Sequence, residues 1–277
     1  MQDQTVIHPS SVIEPGAQIG AGVRIGPFCY VSSEAVIGNG VELVGHVSVL
    51  SATTIGAGTR VYPMTTLGAP PQNTKHKGGR TTLVIGKNCT IRENVTMHTG
   101  TDTSRGTTVV GDNGNFLAYS HIAHDCIVGD NCTFANGATL GGHCEVGDNV
   151  NIGGLTAVHQ FVRVGDNAFL GGCSAVVGDV IPYAIAVGNR AKLRGFNIIG
   201  LKRSGMARSE IQTMRRAYRM IFDPAHPVSE NVGKARAEFS GSPTVMKIVD
   251  FISTRDKRYY TVPPLKGGGG DGGDDED

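Results

Sequence analysis

The chain contains no tryptophan, and aromatic residues make up 6% of its 277 positions, so a core built on large rings is excluded. A formal net charge of +1 gives none of the one-signed field that binds nucleic acid, and no basic and aromatic run offers bases a stacking platform. No stretch approaches 18 consecutive apolar residues, and Met1-Gln2-Asp3-Gln4 lacks the basic end and apolar run of a leader. A cytoplasmic protein without stable membrane insertion is expected. The six cysteines form no CxxC pair, which argues against structural zinc. Cys126, Cys132 and Cys144 are separated by multiples of six, so they read as small residues at equivalent positions. Cys126 and Cys144 could stack, but a cytoplasmic setting favours free thiols.

What is abundant is glycine, at 40 residues, and a strict aliphatic period. Ile7, Ile13, Ile19, Ile25, Val31, Ile37, Leu43, Val49, Ile55, Val61 and Leu67 recur every six residues. The same step runs from Val110 through Phe116, Ile122, Val128, Phe134, Leu140, Val146, Ile152, Val158, Val164 and Leu170 to Val176. Neither a helix, at 3.6, nor an amphipathic strand, at 2, has that period. A parallel β-helix does: each hexad gives a short strand and a tight corner, and three hexads close a triangular coil. Residues 18 apart then stack at roughly 4.8 Å. The predicted fold is therefore mainly β, a parallel β-helix over 1–188, with a C-terminal α-helical domain over 189–265.

Two loops interrupt the ruler, near 69–84 and 98–109. The first, Ala69 to Arg80, is rich in Pro and Gly and carries Lys75, Lys77 and Arg80, which suit an anionic ligand. Beyond Gly188 helical signals begin. Ser209-Glu210-Ile211-Gln212 reads as a capping box, a second helix is expected after Ser229, and a third at Pro243 capped by Ser242. Residues 266–277 are almost wholly glycine and acid and are expected to be disordered.

The ruler places the histidines. Eighteen residues beyond His124 is Gly142, so His143 lies one position from the site above His124, and His159 one position from the next site up. His121 precedes His124 on the same turn. A column of imidazoles along one edge, with Asp125 beside His124, suits general-base chemistry on an alcohol or amine. No Ser or Cys sits in a convincing covalent-catalysis motif, which favours direct transfer. The Gly141-Gly142 backbone could donate to an oxyanion.

The runs His121-Ile-Ala-His124-Asp-Cys126, Leu140-Gly-Gly-His143 and Ala157-Val-His159-Gln160-Phe161, followed by Gly195-Phe-Asn197-Ile-Ile-Gly200-Leu-Lys202-Arg203, resemble the UDP-N-acetylglucosamine O-acyltransferases that open lipid A biosynthesis. The resemblance covers residues 7 to 222. It implies a left-handed parallel β-helix (hexapeptide repeats), a homotrimer with sites between subunits, no cofactor, and transfer of an R-3-hydroxyacyl group from acyl carrier protein to the 3-hydroxyl of UDP-N-acetylglucosamine. It assigns His124 as general base, Asp125 as its assistant and the Gly142 amide as oxyanion donor. His121, His143, His159 and Gln160 would hold donor and sugar nucleotide, Asn197 and Arg203 the nucleotide, and Lys75 the substrate. Gly172 matches the acyl-chain ruler, where a small residue suits a myristoyl-length chain. The family often has an acidic residue at Asn73, whose amide can still bind a sugar, and a second Arg at Ser204. Arg215, Arg216 and Arg219 are candidates for docking the acidic carrier protein. Three alternatives stand beside this reading: transfer to a 3-amino sugar nucleotide, a zinc lyase like the gamma-class carbonic anhydrases with His124, His143 and His159 as ligands, and a non-catalytic β-helix surface.

Overall fold

The computed structural model describes residues 4–254 and 259–264. The expected disorder of 266–277 lies outside the described residues. Each hexad forms a strand, usually of two residues, and the strands stack into three sheets of eleven, nine and eight members that make the faces of a prism. The first face starts at Val6–Ile7, the second at Val12–Ile13 and the third at Gln18–Ile19. Within the uninterrupted blocks each residue pairs in parallel with the one 18 further on, as Val31 with Val49 and Ile122 with Leu140. This is a left-handed parallel β-helix.

The aliphatic ruler fills the prism. From Ile25 to Val176 its members are no more than 3% exposed, and Phe116 and Phe134 stack inside it with centroids 5.2 Å apart. Ile7 is 42% exposed because it lies in the first described coil, with a neighbouring coil on one side only. A second buried column, two residues before each ruler position, is made of small side chains such as Val41, Val47, Cys132 and Ala138. Several polar members donate to the carbonyl fifteen residues on: Cys126 Sγ to Gly141 O at 3.2 Å, Cys144 Sγ to His159 O at 3.2 Å and Thr156 Oγ1 to Gly171 O at 2.7 Å. All six cysteines are free thiols.

Both loops leave the prism at the corner joining its second and third faces. The first joins Thr66–Ala69 to Thr82–Ile85, and the second joins Thr96–His98 to Thr107–Val110. The next turn at that corner is His124-Asp125, then Gly142-His143, then Gln160-Phe161. The loops thus stand in the coils directly before the histidines. Among the described residues no other corner of the prism carries such insertions.

The first face continues past Gly188. Ala184–Val187 pairs in parallel with Phe169–Leu170, and Lys192–Phe196 then pairs antiparallel with Ala184–Val187. Four helices follow. The first, α1 (Ile198–Arg203), is capped by the Asn197 side chain, which accepts from Gly200 N at 3.0 Å; with six residues and an internal glycine it shows no helical period in sequence. The second, α2 (Arg208–Ile221), begins after Ala207 with no side-chain cap, so the expected capping box does not form. Ser209 already lies inside the helix, and Glu210 instead accepts from Ser242 Oγ at 2.5 Å, tying α2 to a later helix. That helix, α4 (Pro243–Ser253), is capped by Ser242 as the sequence indicated; between them α3 (Val228–Glu238) starts one residue before Ser229. Buried Arg163 fastens the helical layer to the prism: its Nε meets Asp179 Oδ2 at 2.7 Å, and its guanidinium lies over Phe251 and donates to the Phe251 carbonyl at 3.1 Å.

Candidate active site

The corner turn places His124 at its first position and Asp125 at its second, where φ is 60°. Asp125 is fully buried, and its carboxylate accepts from Thr101 N at 3.0 Å, Thr101 Oγ1 at 2.7 Å and His124 Nδ1 at 2.8 Å. Burial alone would raise the pKa of this acid, but the two Thr101 donors, the His124 ring and the His143 charge outweigh it and hold the carboxyl below its ordinary value. Asp125 is therefore the acceptor that fixes the His124 tautomer: Nδ1 carries the proton and Nε2 keeps its lone pair. That Nε2 faces the first loop, 3.4 Å from Asn73 Nδ2.

Gly142 lies against the ring. A Cβ on Gly142 would stand 2.5 Å from His124 Cε1, so glycine there is a condition of the imidazole's position. Gly141 N donates to Val158 O and His143 N to His124 O, whereas the Gly142 N–H between them has no backbone acceptor among the described residues. His143, at φ 63°, meets His124 edge to face at 5.0 Å and stacks flat on Phe161 at 4.4 Å. Its Nε2 is 3.8 Å from Asp125, and burial, ahead of the His124 and Arg105 charges, lowers its pKa against the pull of Asp125.

The second loop wraps this group. Besides Thr101, Ser104 Oγ approaches His143 Nδ1 at 3.4 Å, and Arg105 bridges the Asp125 carbonyl at 3.2 Å and Glu145 at 3.1 Å. His121 Nδ1 bonds Thr96 Oγ1 at 2.7 Å and its ring meets His98 edge to face at 4.8 Å. His98, like Thr101 and Arg105 of the second loop, is a residue that sequence reasoning missed. It is buried, its Nδ1 has no hydrogen-bond partner among the described residues, and burial together with the His121 and His124 charges pulls its pKa down to about 4. The second loop hid it: Met97 pairs with Ile122, 25 residues on rather than 18, so counting by coils does not bring His98 to this corner. The available signal was Met97-His98 at the end of a ruler strand, read across the loop.

The remaining candidates spread further. His159 occupies the register of Ala123 and Gly141 rather than that of His124, is exposed, and turns Nδ1 to its neighbour's carbonyl, Gln160 O, at 3.1 Å. Gln160, exposed, follows Gly142 in the stack, and Gln160 and His159 line a cleft of 350 Å³ with Phe161 and Tyr259. Lys75 is exposed, its N–H held by Asn73 Oδ1 at 2.9 Å. Gly172 sits on the corner between first and second faces, and Asn197 and Arg203 belong to α1. None of these three makes a hydrogen bond, ion pair or ring contact with the histidine corner among the described residues.

His124, Asp125 and His143 offer ligand atoms within 4.8 Å of one another, so the residues of the zinc alternative converge only in part, with Asp125 in the place of His159. The Asp125 oxygens already serve Thr101 and His124, and ligating a cation would take them from those donors. As it stands, the group holds one oriented imidazole whose Nε2 faces the Asn73 amide, beside a Gly142 N–H that has no partner among the described residues.

Comparisons with known proteins agree over the whole chain. The family described as "Udp N-acetylglucosamine O-acyltransferase; Domain 2" matches residues 179–260, and "Bacterial transferase hexapeptide (six repeats)" matches 1–33 and 107–142. The chain is 79% identical over 277 residues to the acyl-[acyl-carrier-protein]--UDP-N-acetylglucosamine O-acyltransferase of Mesorhizobium japonicum, covering 100% of this chain and 99% of the relative. It is 57% identical over 274 residues to the protein of that name from Brucella ovis, at 99% of both chains. The solved UDP-N-acetylglucosamine acyltransferase from Campylobacter jejuni superposes with a TM-score of 0.87 at 43% identity, covering 93% of this chain and 100% of that one.

Proposed function

The chain belongs to the UDP-N-acetylglucosamine O-acyltransferase family, and from that premise we propose that it moves an R-3-hydroxyacyl group from acyl carrier protein to the 3-hydroxyl of UDP-N-acetylglucosamine, the first step of lipid A biosynthesis, with His124 as general base. The observation that carries the mechanism is the His124 Nδ1 to Asp125 contact of 2.8 Å, which leaves Nε2 as the basic nitrogen. Nε2 takes the proton of the acceptor hydroxyl as its oxygen attacks the thioester carbonyl. The resulting oxyanion receives the Gly142 N–H, and collapse expels the carrier thiolate, which recovers the proton from the imidazolium. Asp125 stabilises that imidazolium without itself being protonated. No cofactor enters, and no cysteine is used: the Cys126 thiol is buried and donates to Gly141 O.

Asn73 and Lys75 approach the acceptor from the first loop, and His121, His143, His159 and Gln160 line the donor and sugar path. Asn197, Arg203 and Gly172 lie away from His124 within one chain. Their placement supports a homotrimer in which a neighbouring subunit completes each site, with Arg203 at the nucleotide phosphates and Gly172 beside the acyl chain. An exposed apolar column of Phe28, Met64, Tyr119 and Leu155, along the same corner as Gly172, supports packing of that edge against another copy. Arg215 and Arg219 are exposed on α2 and make no ion pair among the described residues, which suits docking of an acidic carrier protein; Arg216 lies over the Phe239 ring at 5.4 Å. No helix among the described residues is long and apolar enough to cross a membrane, in keeping with work in the cytoplasm.

The test is transfer of labelled 3-hydroxymyristoyl from acyl carrier protein to UDP-N-acetylglucosamine by the native chain and by His124→Ala, both with chelator present. Native activity that survives chelation, with a loss of about 10²–10⁴-fold in the folded variant, is the expected result. Activity that disappears with chelator would return the zinc reading, and an inactive native protein would send the assay to the 3-amino sugar nucleotide.

A further inference from the structure

Beside the active site, the middle of the first loop is fastened to the second loop by the side chain of Asp102. Its carboxylate lies on the second loop, one residue after Thr101, whose N–H and hydroxyl hold Asp125. It accepts three donors from the first loop: Lys77 N at 3.1 Å, Gly79 N at 2.9 Å and, at 3.1 Å, His76 Nδ1, which carries the proton when it faces a carboxylate. The first loop has no strand of its own between Ala69 and Thr82. Its other fastenings lie at its ends, where Asn73 reaches His124, Arg80 Nε meets Glu34 at 2.9 Å and Thr81 bonds Thr99 at 2.9 Å. Asp102 therefore holds its middle.

We propose that Asp102 is a positioning residue for acceptor binding: it clasps the first loop, which carries Asn73 and Lys75, onto the second loop, which holds the His124–Asp125 dyad. The proposal rests on the reading of Asn73 and Lys75 as acceptor contacts given above. Two further observations support it. Gly79 comes so close that a Cβ there would stand 2.7 Å from Asp102 Cβ, so the junction requires glycine at that position. The Asp102 carboxyl also sits below its ordinary pKa, with the Gly79 N–H as the largest cause and the Lys77 N–H and His76 adding to it against the opposing effect of burial. The clasp acts through loop position and touches no reacting atom, so it should govern acceptor affinity more than the chemical step.

The experiment compares the full-length native enzyme with Asp102→Ala, Asp102→Asn and Gly79→Ala. It measures KM separately for UDP-N-acetylglucosamine and for 3-hydroxymyristoyl acyl carrier protein, Tm, and the rate of trypsin cleavage after Lys77. In Asp102→Ala the KM for the sugar nucleotide should rise about tenfold, with the donor KM unchanged, because charge-assisted bonds to the acceptor loop alone are lost. Tm should stay within about 2 °C, and loop cleavage should become about fivefold faster as the open population grows. Gly79→Ala should move the same quantities, and Asp102→Asn, which keeps an acceptor oxygen but not the charge, should fall between native and Asp102→Ala. An unchanged sugar-nucleotide KM, equal rises in both KM values, or a fall in Tm that tracks the kinetic change would overturn the proposal. If the native enzyme transfers nothing to UDP-N-acetylglucosamine, the reading of the acceptor itself fails. The clasp is then decided by cleavage alone: faster cutting of Asp102→Ala sustains it and equal cutting overturns it.

Discussion

Two corners of the same prism use one turn for opposite ends. At the corner between third and first faces the sequence repeats itself: Gly111-Asp112-Asn113, Gly129-Asp130-Asn131, Gly147-Asp148-Asn149 and Gly165-Asp166-Asn167. Each Asn takes φ of 57–59°, the conformation it tolerates best after glycine, and each Asp accepts the backbone N–H of the residue one coil back, as Asp130 does from Asp112 at 2.7 Å. Lys247 of α4 pairs with the last of them, Asp166. At the corner between second and third faces the left-handed second position is Asp125, then His143, then Phe161, and no two coils are alike. Repetition there would give nothing but another scaffold edge. Where the corner varies while keeping its backbone, its side chains make contacts that no repeating turn makes, as Asp125 does with Thr101 and His124.

The sharpest way to break this comparison is Gly142→Ala. Its β-carbon would meet the His124 ring at 2.5 Å and drive it from Asp125, so kcat should fall by about 10²-fold. The turn has no positive φ at residue 142 and should fold as before, which a Tm within about 2 °C of native would verify.

A smaller effect should appear in stability against pH. His98 takes its proton near pH 4 when folded and near 6.5 when unfolded. Between those values the unfolded state binds more protons, so stability is full above about 6.5 and declines as pH falls toward 4. Burial lowers His121 and His143 in the same direction. Melting curves from pH 7 to 5 should therefore show a declining Tm, and His98→Gln, which cannot titrate, should make the decline shallower by a few degrees. A slope identical to that of the native protein would remove His98 from the account. Smallest of all is Asp130→Ala at the repetitive corner. It removes the acceptor for Asp112 N, should cost about 1 kcal/mol in denaturant titration, and should leave transfer activity intact.

The division between the corners also explains what could be read without coordinates. The ruler from Ile25 to Val176 was legible because each aliphatic side chain answers to a local rule that recurs six residues later. The meeting of His124, Asp125 and Gly142 was legible because they lie within one uninterrupted block, where an 18-residue count holds. His98 was not, since the second loop stretches the count to 25, and neither were Thr101 and Arg105, whose contacts depend on how that loop folds back. His159 was assigned to the column by a count one residue out, and a one-residue offset on a strand turns the side chain elsewhere. The uncapped start of α2 at Arg208 shows the same limit: Ser209 and Gln212 have capping-box spacing, but the tie from Glu210 to Ser242 of the later helix is a tertiary contact that local spacing does not show.

The most direct measurement is kcat and Tm for Asp125→Asn, with Asp130→Asn as its partner at the repetitive corner. Asparagine is at home in the left-handed conformation, so neither change should disturb the backbone. At residue 125, however, its amide can donate to His124 Nδ1, which moves the ring proton to Nε2 and removes the base. The expected result is a loss of about 10²–10⁴-fold in kcat for Asp125→Asn, with Tm near native, and full activity for Asp130→Asn. Full activity in Asp125→Asn would contradict a base oriented by Asp125, and with it the assignment of this corner to catalysis.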